Sequence, residues 1–362
     1  MNNIKIEENK SLAPYTTLKI GGRARFFASA TSVGDVVTGV RFAADRNLPL
    51  FILGGGSNIL VSDDGFDGLV LQIGLLGIDS SEFRVPGSES ESVLKSKIET
   101  RNSKLVTVAA GEDWDAFVIY CVDRNYAGVE CMSGIPGLVG GTPVQNVGAY
   151  GQEVSETIVA VNVFDRKNET IRTLSNSDCE FAYRTSIFNT TSRDRYIVLS
   201  VTFVLVEKGE PIIKYRDLRD QFSGRAPTLQ ETRDAVLDIR RSKSMVIDPD
   251  DQNSRSAGSF FKNPIVSRGR YDLLVGDHGD VPSFPAGDQN VKVPAAWLIE
   301  HAGFQKGFMV GNVGISSNHT LAIVNRGNAS ASEVIALKEA IQSAVKAKFD
   351  IDLQPEPIFV GF

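Results

Sequence analysis

The chain has 362 residues, of which 42% are hydrophobic and 23% charged; that is an ordinary globular balance, and the length predicts two or three domains rather than one core. Its 38 basic and 44 acidic side chains leave a net charge of −6, so an anionic ligand has to be held by a local cluster of donors and no general attraction to nucleic acid or an anionic membrane is expected. No apolar run approaches the ~20 residues of a membrane span, and the start, MNNIKIEENKSLAPYTTLKIGG, has no apolar core for a signal peptide.

In chain order, residues 34–47 have helical spacing at Val36, Val37, Val40 and Phe42, with Ser32 and Asp35 as a capping box. PLFILGGGSN reads as an apolar strand running into a glycine loop, and GLVLQIG as a second strand. Residues 78–104 are polar and rich in Ser and Glu, a surface excursion. LVTVAAG is a strand, and EDWDAFVIYCVDRN a helix that buries Trp114, Phe117, Val118 and Cys121. A glycine-rich stretch, 133–151, precedes two more strands, TIVAVNVFD and YIVLSVTFVLV. The second half, from about residue 207, holds three helices: TLQETRDAVLDIRRSK, VPAAWLIEHAG with Pro294 near its first turn and Gly303 past its end, and SASEVIALKEAIQSAVKAKFD with Ser330 and Glu333 as a capping box. The tail IDLQPEPIFVGF sets two prolines around Glu356. Helices and strands interleave too irregularly for a doubly wound sheet, so the fold class is α+β.

Three cysteines (Cys121, Cys131, Cys179) without CxxC spacing fit a reducing cytosol. The histidines His278, His301 and His319 are too scattered for a zinc site, and no metal is expected.

Two glycine segments carry the first chemical signal. LGGGSNIL puts Gly54, Gly55 and Gly56 directly after a strand, where successive N–H groups can converge on a phosphate; an unliganded tight turn accounts for it equally. At Gly55 a side chain would block both positive φ and close approach. SGIPGLVGGTPVQNVGAYG has few polar members, Ser133, Thr142, Gln145, Asn146 and Tyr150. It suits a backbone wrapped around a flat or phosphorylated ligand, or else a loop-rich junction. Other segments are ambiguous on their own. SAGSFFKNP joins Ser259 to two aromatics, Lys262 and Asn263, and a packed turn explains it as well. Arg184, between apolar residues in CEFAYRTSIF, grips either a carboxylate or phosphate or an internal partner. Tyr215 and Lys243 are phosphate donors or surface residues.

Taken together, these segments resemble the UDP-N-acetylenolpyruvoylglucosamine reductase (UDP-N-acetylmuramate dehydrogenase, MurB) family along nearly the whole chain. The matching stretches, in order, are TTLKIGG, GGGSNIL, GIPGLVGGTPVQNVGAYG, CEFAYRTSIF, AGSFFKNP, AWLIEHAGF, SSNHTLAIVN and LQPEP. The resemblance implies an FAD-binding fold of the vanillyl-alcohol oxidase (PCMH) type in two subdomains at 1–205, an α+β substrate-binding domain at 206–349, and a tail, 350–362, returning to the active site. It implies a non-covalent FAD, held by Gly54, Gly55, Gly56, Ser57 and Asn58 at its diphosphate. The wall around the flavin would be Ser133, Ile135, Pro136, Gly137, Gly141, Thr142, Gln145, Asn146, Gly148, Ala149 and Tyr150, with Ile197.

The chemistry it implies is reduction of UDP-N-acetylglucosamine enolpyruvate to UDP-N-acetylmuramate. NADPH is the co-substrate, and hydride passes through the flavin to the terminal enolpyruvyl carbon. Arg184 would stabilise the enediolate-like charge, Glu356 would act near the same group, and Ser259 would protonate the intermediate. Tyr215, Lys243 and Asn263 match the residues that hold the substrate diphosphate. Tyr215 in PIIKYRDL also matches the lid tyrosine of one family type. His301, counted with the substrate-binding residues, stands where some relatives carry glutamine as a further substrate contact, and the stretches 78–104 and 265–292 match nothing. The resemblance further implies a cytoplasmic monomer of peptidoglycan precursor synthesis, serving cell-wall biogenesis, cell shape and cell division, with no nucleic-acid or membrane partner. Two rivals compete: an oxidase of the same fold, and a non-catalytic sugar-nucleotide-binding flavoprotein.

Overall fold

The computed structural model describes residues 4–80, 102–222 and 224–362, the side chain of Asp217 excepted. It divides into two compact units. Unit 1 comprises Met1–Asn9, Arg25–Gly55 and Asp67–Arg241; unit 2 comprises Lys10–Ala24, Gly56–Phe66 and Ser242–Phe362.

Unit 1 is built on two sheets. The smaller runs in the order Glu7–Ser11, Arg23–Ala30, Phe66–Ile73, Leu50–Leu53, and its last two strands pair in parallel. The helix Val33–Asp45 connects Arg23–Ala30 to Leu50–Leu53. It starts at the expected capping box, with the Ser32 hydroxyl accepting from the Asp35 N–H and the Asp35 carboxylate accepting from the Ser32 N–H. The larger sheet is antiparallel, ordered Thr170–Ser175, Ile158–Asp165, Tyr196–Glu207, Ser103–Ala109, Ile78–Asp79. Its apolar side chains pack on the helix Trp114–Asp123, where Phe117 meets Phe203 at 4.9 Å and Trp114 lies 5.7 Å from Phe117. The polar excursion expected at 78–104 begins and ends in these paired strands; residues 81–101 lie outside the described residues.

Unit 2 has its own core. The helix Ala331–Phe349 buries Val334, Leu337, Ile341 and Val345, a 3–4 spacing that keeps one stripe inward. They pack with Phe260, Phe261, Leu298 and Ile299. The Ser330–Glu333 capping box forms as the sequence predicts. The stretch 265–292, opaque in the sequence, is a helix, Arg268–His278, flanked by a three-stranded sheet of Ile265–Ser267, Asn290–Lys292 and Phe284–Pro285. The tail returns as a strand, Ile358–Val360, paired in parallel with Ile59–Val61. Mixed parallel and antiparallel sheets with interspersed helices give the α+β class.

Candidate active site

In unit 1 the two glycine segments meet. A Cβ added at Gly55 would stand 2.7 Å from the Gly137 Cα and 3.2 Å from the Leu138 N, so only glycine permits the approach. Positive φ is not part of the demand at Gly55; within unit 2 it falls on Gly56, whose φ is +63 and whose added Cβ would meet the Tyr15 carbonyl. At Gly54 and Gly141, by contrast, an added Cβ meets nothing within 4 Å. Both positions border open space. A glycine turn of this kind leaves room for a phosphorylated cofactor to approach main-chain N–H groups.

The polar residues of 133–151 hold this loop in place. Ser133 Oγ donates to the Glu130 carbonyl at 2.6 Å, and Thr142 Oγ1 to the Val139 carbonyl at 2.8 Å. Buried Asn146, at φ +44, donates to Glu153 and the Ala182 carbonyl and accepts from the Ser155 N–H. Gly148 and Ala149 form a short hairpin with Gln152–Glu153. Ile135, Pro136 and Gln145 lie on the same loop. Ile197 sits one residue into the long strand of the large sheet, opposite Phe164, and is buried.

Beneath this loop lies a charged cluster that the sequence reading missed. Asp115 accepts two hydrogen bonds from Arg233, at 2.6 and 2.8 Å, and one from the Gly134 N–H at 2.6 Å. Burial alone would raise the Asp115 carboxyl, but these bonds and the charges of Arg233 and Arg240 hold it below its ordinary value. Arg240 is buried; that pushes its pKa down, opposed by Asp115 and by a hydrogen bond with Tyr150. Gly134, at φ +71, leaves room for Arg240, because an added Cβ would lie 3.3 Å from its Nε and 2.7 Å from Leu237 Cδ2. Tyr150 (φ +49) packs edge-to-face on Tyr215 at 5.4 Å. Tyr215 thus meets the glycine-rich loop at Tyr150, which in turn bonds Arg240.

Arg184 occupies the third position of a four-residue turn closed by the Ala182 and Thr185 backbones, with φ +55. That conformation costs a side-chain-bearing residue ~1–2 kcal/mol. Asn189 Nδ2 donates to the Arg184 carbonyl, and Arg184 Nη2 donates to the Gly148 carbonyl at 2.8 Å. The turn therefore aims the guanidinium at the glycine-rich hairpin.

Unit 2 brings together residues far apart in sequence. The segment around Ser259 bonds to two others: Phe260 N–H donates to the Leu321 carbonyl at 2.7 Å, Lys262 N–H to Gln354 and Glu356 N–H to the Phe260 carbonyl, both at 2.9 Å. Asn58 Nδ2 donates to the Glu356 carbonyl at 3.3 Å. The Glu356 backbone thereby lies opposite Phe260, one residue from Ser259, beside an antiparallel bridge of Phe261 with Pro355. Ser259 Oγ lies 3.3 Å from His319 Nε2, a partner that the sequence reading did not single out. Asn263 Oδ1 accepts the Ala295 N–H at the start of the helix Ala295–His301, which leaves its NH2 end as the group suited to an anion. His301 stacks on Trp297 at 3.9 Å, and its Nδ1 lies 2.8 Å from the Trp297 carbonyl. A carbonyl can only accept, so Nδ1 carries the hydrogen and Nε2 is the acceptor of the neutral ring. Lys243 precedes Ser244, whose hydroxyl accepts from Asn318. Among the described residues no cluster of His, Cys, Asp and Glu is arranged to hold a metal, and no helix is long and apolar enough to cross a membrane.

Comparison with known proteins gives this arrangement its class and then its family. Residues 24–175 match the model of an FAD binding domain, which makes this an FAD-binding fold. Residues 248–360 match the family model "UDP-N-acetylenolpyruvoylglucosamine reductase, C-terminal domain". The chain is 45% identical to the UDP-N-acetylenolpyruvoylglucosamine reductase of Thermobifida fusca, covering 98% of this chain and 97% of that one. It is 42% identical to the same enzyme of Streptomyces coelicolor, over 97% and 89%. The chain belongs to the UDP-N-acetylenolpyruvoylglucosamine reductase family. A solved structure of that reductase from Thermus caldophilus shares the fold, with a TM-score of 0.64 at 23% identity over 99% of each chain.

Proposed function

We propose that the chain reduces UDP-N-acetylglucosamine enolpyruvate to UDP-N-acetylmuramate with NADPH, as a non-covalent FAD enzyme. The observation that carries the reading is near-full-length identity of 45% to a named reductase, joined to the close approach of the two glycine segments at Gly55 and Gly137. The cofactor part is assigned to 1–205, in keeping with the FAD-binding match at 24–175. The substrate part is assigned to 206–349 with the tail 350–362, in keeping with the C-terminal match at 248–360.

Gly54–Asn58 would hold the FAD diphosphate, and residues 133–150 with Ile197 the flavin. When bound, FAD supplies the hydride. The chain's own residues do the rest. Arg184 offers a planar fork to the enolpyruvyl carboxylate and stabilises the charge that develops there. Ser259 donates a proton to the carbon bearing the carboxylate, and Glu356, whose N–H donates to the carbonyl of the next residue, Phe260, acts at the same group. Lys243, the Asn263 amide and Tyr215 take the diphosphate. His301, presenting an acceptor at Nε2, suits a hydroxyl or N–H donor of the nucleotide. The expected setting is a monomer in the cytoplasm, supplying peptidoglycan precursors for cell-wall growth, shape and division.

Anaerobic turnover tests the reading against its two rivals. NADPH should bleach the flavin, and the enolpyruvyl sugar nucleotide should restore its colour without oxygen. Reoxidation by oxygen alone would favour an oxidase, and absence of bleaching a mere binding protein.

A further inference from the structure

We infer that His319 is the positioning residue of the proton donor: its Nε2–H donates to Ser259 Oγ, aims the serine hydrogen at the substrate carbon, and returns a proton to the oxygen afterwards. This rests on Ser259 being the acid. Ser259 Oγ and His319 Nε2 stand 3.3 Å apart, across segments joined by the Phe260 N–H to Leu321 carbonyl bond of 2.7 Å. The frame is held on both sides. Ser256 Oγ accepts the Gly258 N–H at 3.2 Å, Gly258 is in the left-handed region at φ +73, and the Ala322 N–H donates to the His319 carbonyl at 3.0 Å. Ser259 and His319 are both half-buried.

The direction of the hydrogen bond follows from the chemistry. A hydroxyl has one hydrogen and two lone pairs. A serine that gave its hydrogen to the imidazole would be primed as a nucleophile or base, the triad arrangement, and would have no proton for carbon. A serine that accepts from Nε2–H has its one hydrogen free for the substrate. When the carbon–hydrogen bond forms, the serine O–H bond breaks and its electrons stay on oxygen. A protonated ring then passes its Nε2 hydrogen to that oxygen, becomes neutral, and regains a proton from water. One proton is consumed per turnover, drawn finally from solvent. An unaided serine would be left as an alkoxide of very high basicity; proton return from the imidazole removes that obstacle.

The test uses FAD-loaded His319→Ala, His319→Gln and Ser259→Ala in anaerobic stopped flow, following flavin reduction by NADPH and reoxidation by the enolpyruvyl sugar nucleotide separately. His319→Ala should be reduced at the wild-type rate and reoxidise ~10–100-fold more slowly, with part of the loss restored by added imidazole. His319→Gln keeps an N–H donor and should fall between wild type and alanine, with a larger solvent isotope effect on reoxidation than wild type. If Ser259→Ala is slow while His319→Ala stays within about twofold of wild type, the inference falls and the reading of Ser259 survives. If Ser259→Ala is itself fast, both fall. Should His319→Ala not fold, His319→Gln decides: a wild-type rate with an unchanged isotope effect overturns the proposal.

Discussion

Arg233 grips Asp115 with two parallel hydrogen bonds of 2.6 and 2.8 Å, from a helix 118 residues further along the chain. The pair does more than join two helices, because the same carboxylate receives the Gly134 N–H that opens the glycine-rich loop. Asp115→Asn keeps the shape but leaves buried Arg233 and Arg240 without their counter-charge. Removing one partner of a buried pair costs ~3–5 kcal/mol; with Asp115 partly exposed, a loss of about 2 kcal/mol or more is expected. Urea unfolding measures it, and flavin content after gel filtration should fall in parallel. Unchanged stability would mean the cluster is merely decorative.

Gly54 and Gly55 are adjacent but should respond differently. A side chain at Gly55 collides with the Gly137 backbone at 2.7 Å, so Gly55→Val should be unstable and colourless. At Gly54 nothing of the protein lies within 4 Å of a new Cβ. Gly54→Ala should therefore fold as well as wild type and yet bind FAD at least ~10-fold more weakly. Thermal melting without added FAD, and FAD titration by fluorescence, separate the two effects. Wild-type flavin affinity in Gly54→Ala would remove Gly54 from the cofactor site.

Much of this was legible in the sequence where one residue type has one physical use. Ser32 with Asp35, and Ser330 with Glu333, announce helix starts because the capping box is local. The glycine segments announce close approach. Contacts made by long-range folding left no such mark. Asp115 reads as an ordinary first-turn carboxylate of its helix, and Arg233 as one of several charges on another. His319 follows a polar turn with no periodicity, and its place beside Ser259 comes from the long-range return of 319–321. The helix Arg268–His278 escaped because it buries a single residue, Leu274, so no apolar stripe advertises it.

Arg184 sits at φ +55 in a turn position where glycine is at ease. Arg184→Gly should relieve the backbone, leaving stability equal or up to ~1 kcal/mol higher, while flavin reoxidation by substrate nearly stops. Arg184→Lys keeps charge but loses the fork, and should slow reoxidation while reduction by NADPH is unaffected. Equal slowing of both half-reactions by lysine would assign Arg184 to the flavin or to the fold instead.

Asp165 provides the acid-sensitive point of the large sheet. Hydrogen bonds from Arg195, at 2.8 and 3.2 Å, together with those from the Lys167 N–H and Asn168, outweigh burial and hold its carboxyl at about 2, against an ordinary 3.8. A carboxylate depressed in the folded state contributes stability that is fully present above its ordinary value and is lost as pH falls toward the folded one. Urea midpoints should therefore drop steeply below about pH 4, and the gap between wild type and Asp165→Asn should narrow toward pH 2. A gap that stays constant through that range would show that Asp165 is not the group responsible.

Reduction of an enol ether needs a hydride at one carbon and a proton at the next, and Ser259 is assigned the proton. The bridge between Phe261 and Pro355 brings the Glu356 backbone to Phe260, one residue from Ser259, and His319 Nε2 stands 3.3 Å from Ser259 Oγ. An enediolate-like intermediate is basic enough to take a hydrogen from a hydroxyl, and general acid catalysis is worth ~10²–10⁴-fold. Ser259→Ala should thus bind FAD and be reduced by NADPH normally, yet reoxidise with substrate at least ~10²-fold more slowly. Ser259→Cys should retain more activity, because a thiol also donates. In deuterated solvent the wild type should place one deuteron at the carbon bearing the carboxylate. In the alanine variant the deuteron has to come from His319, the Glu356 carboxyl or a water, so its residual product should carry it with relaxed stereochemistry, measurable by proton NMR. Wild-type rates and unaltered stereochemistry in Ser259→Ala would move the proton to Glu356 or to a bound water.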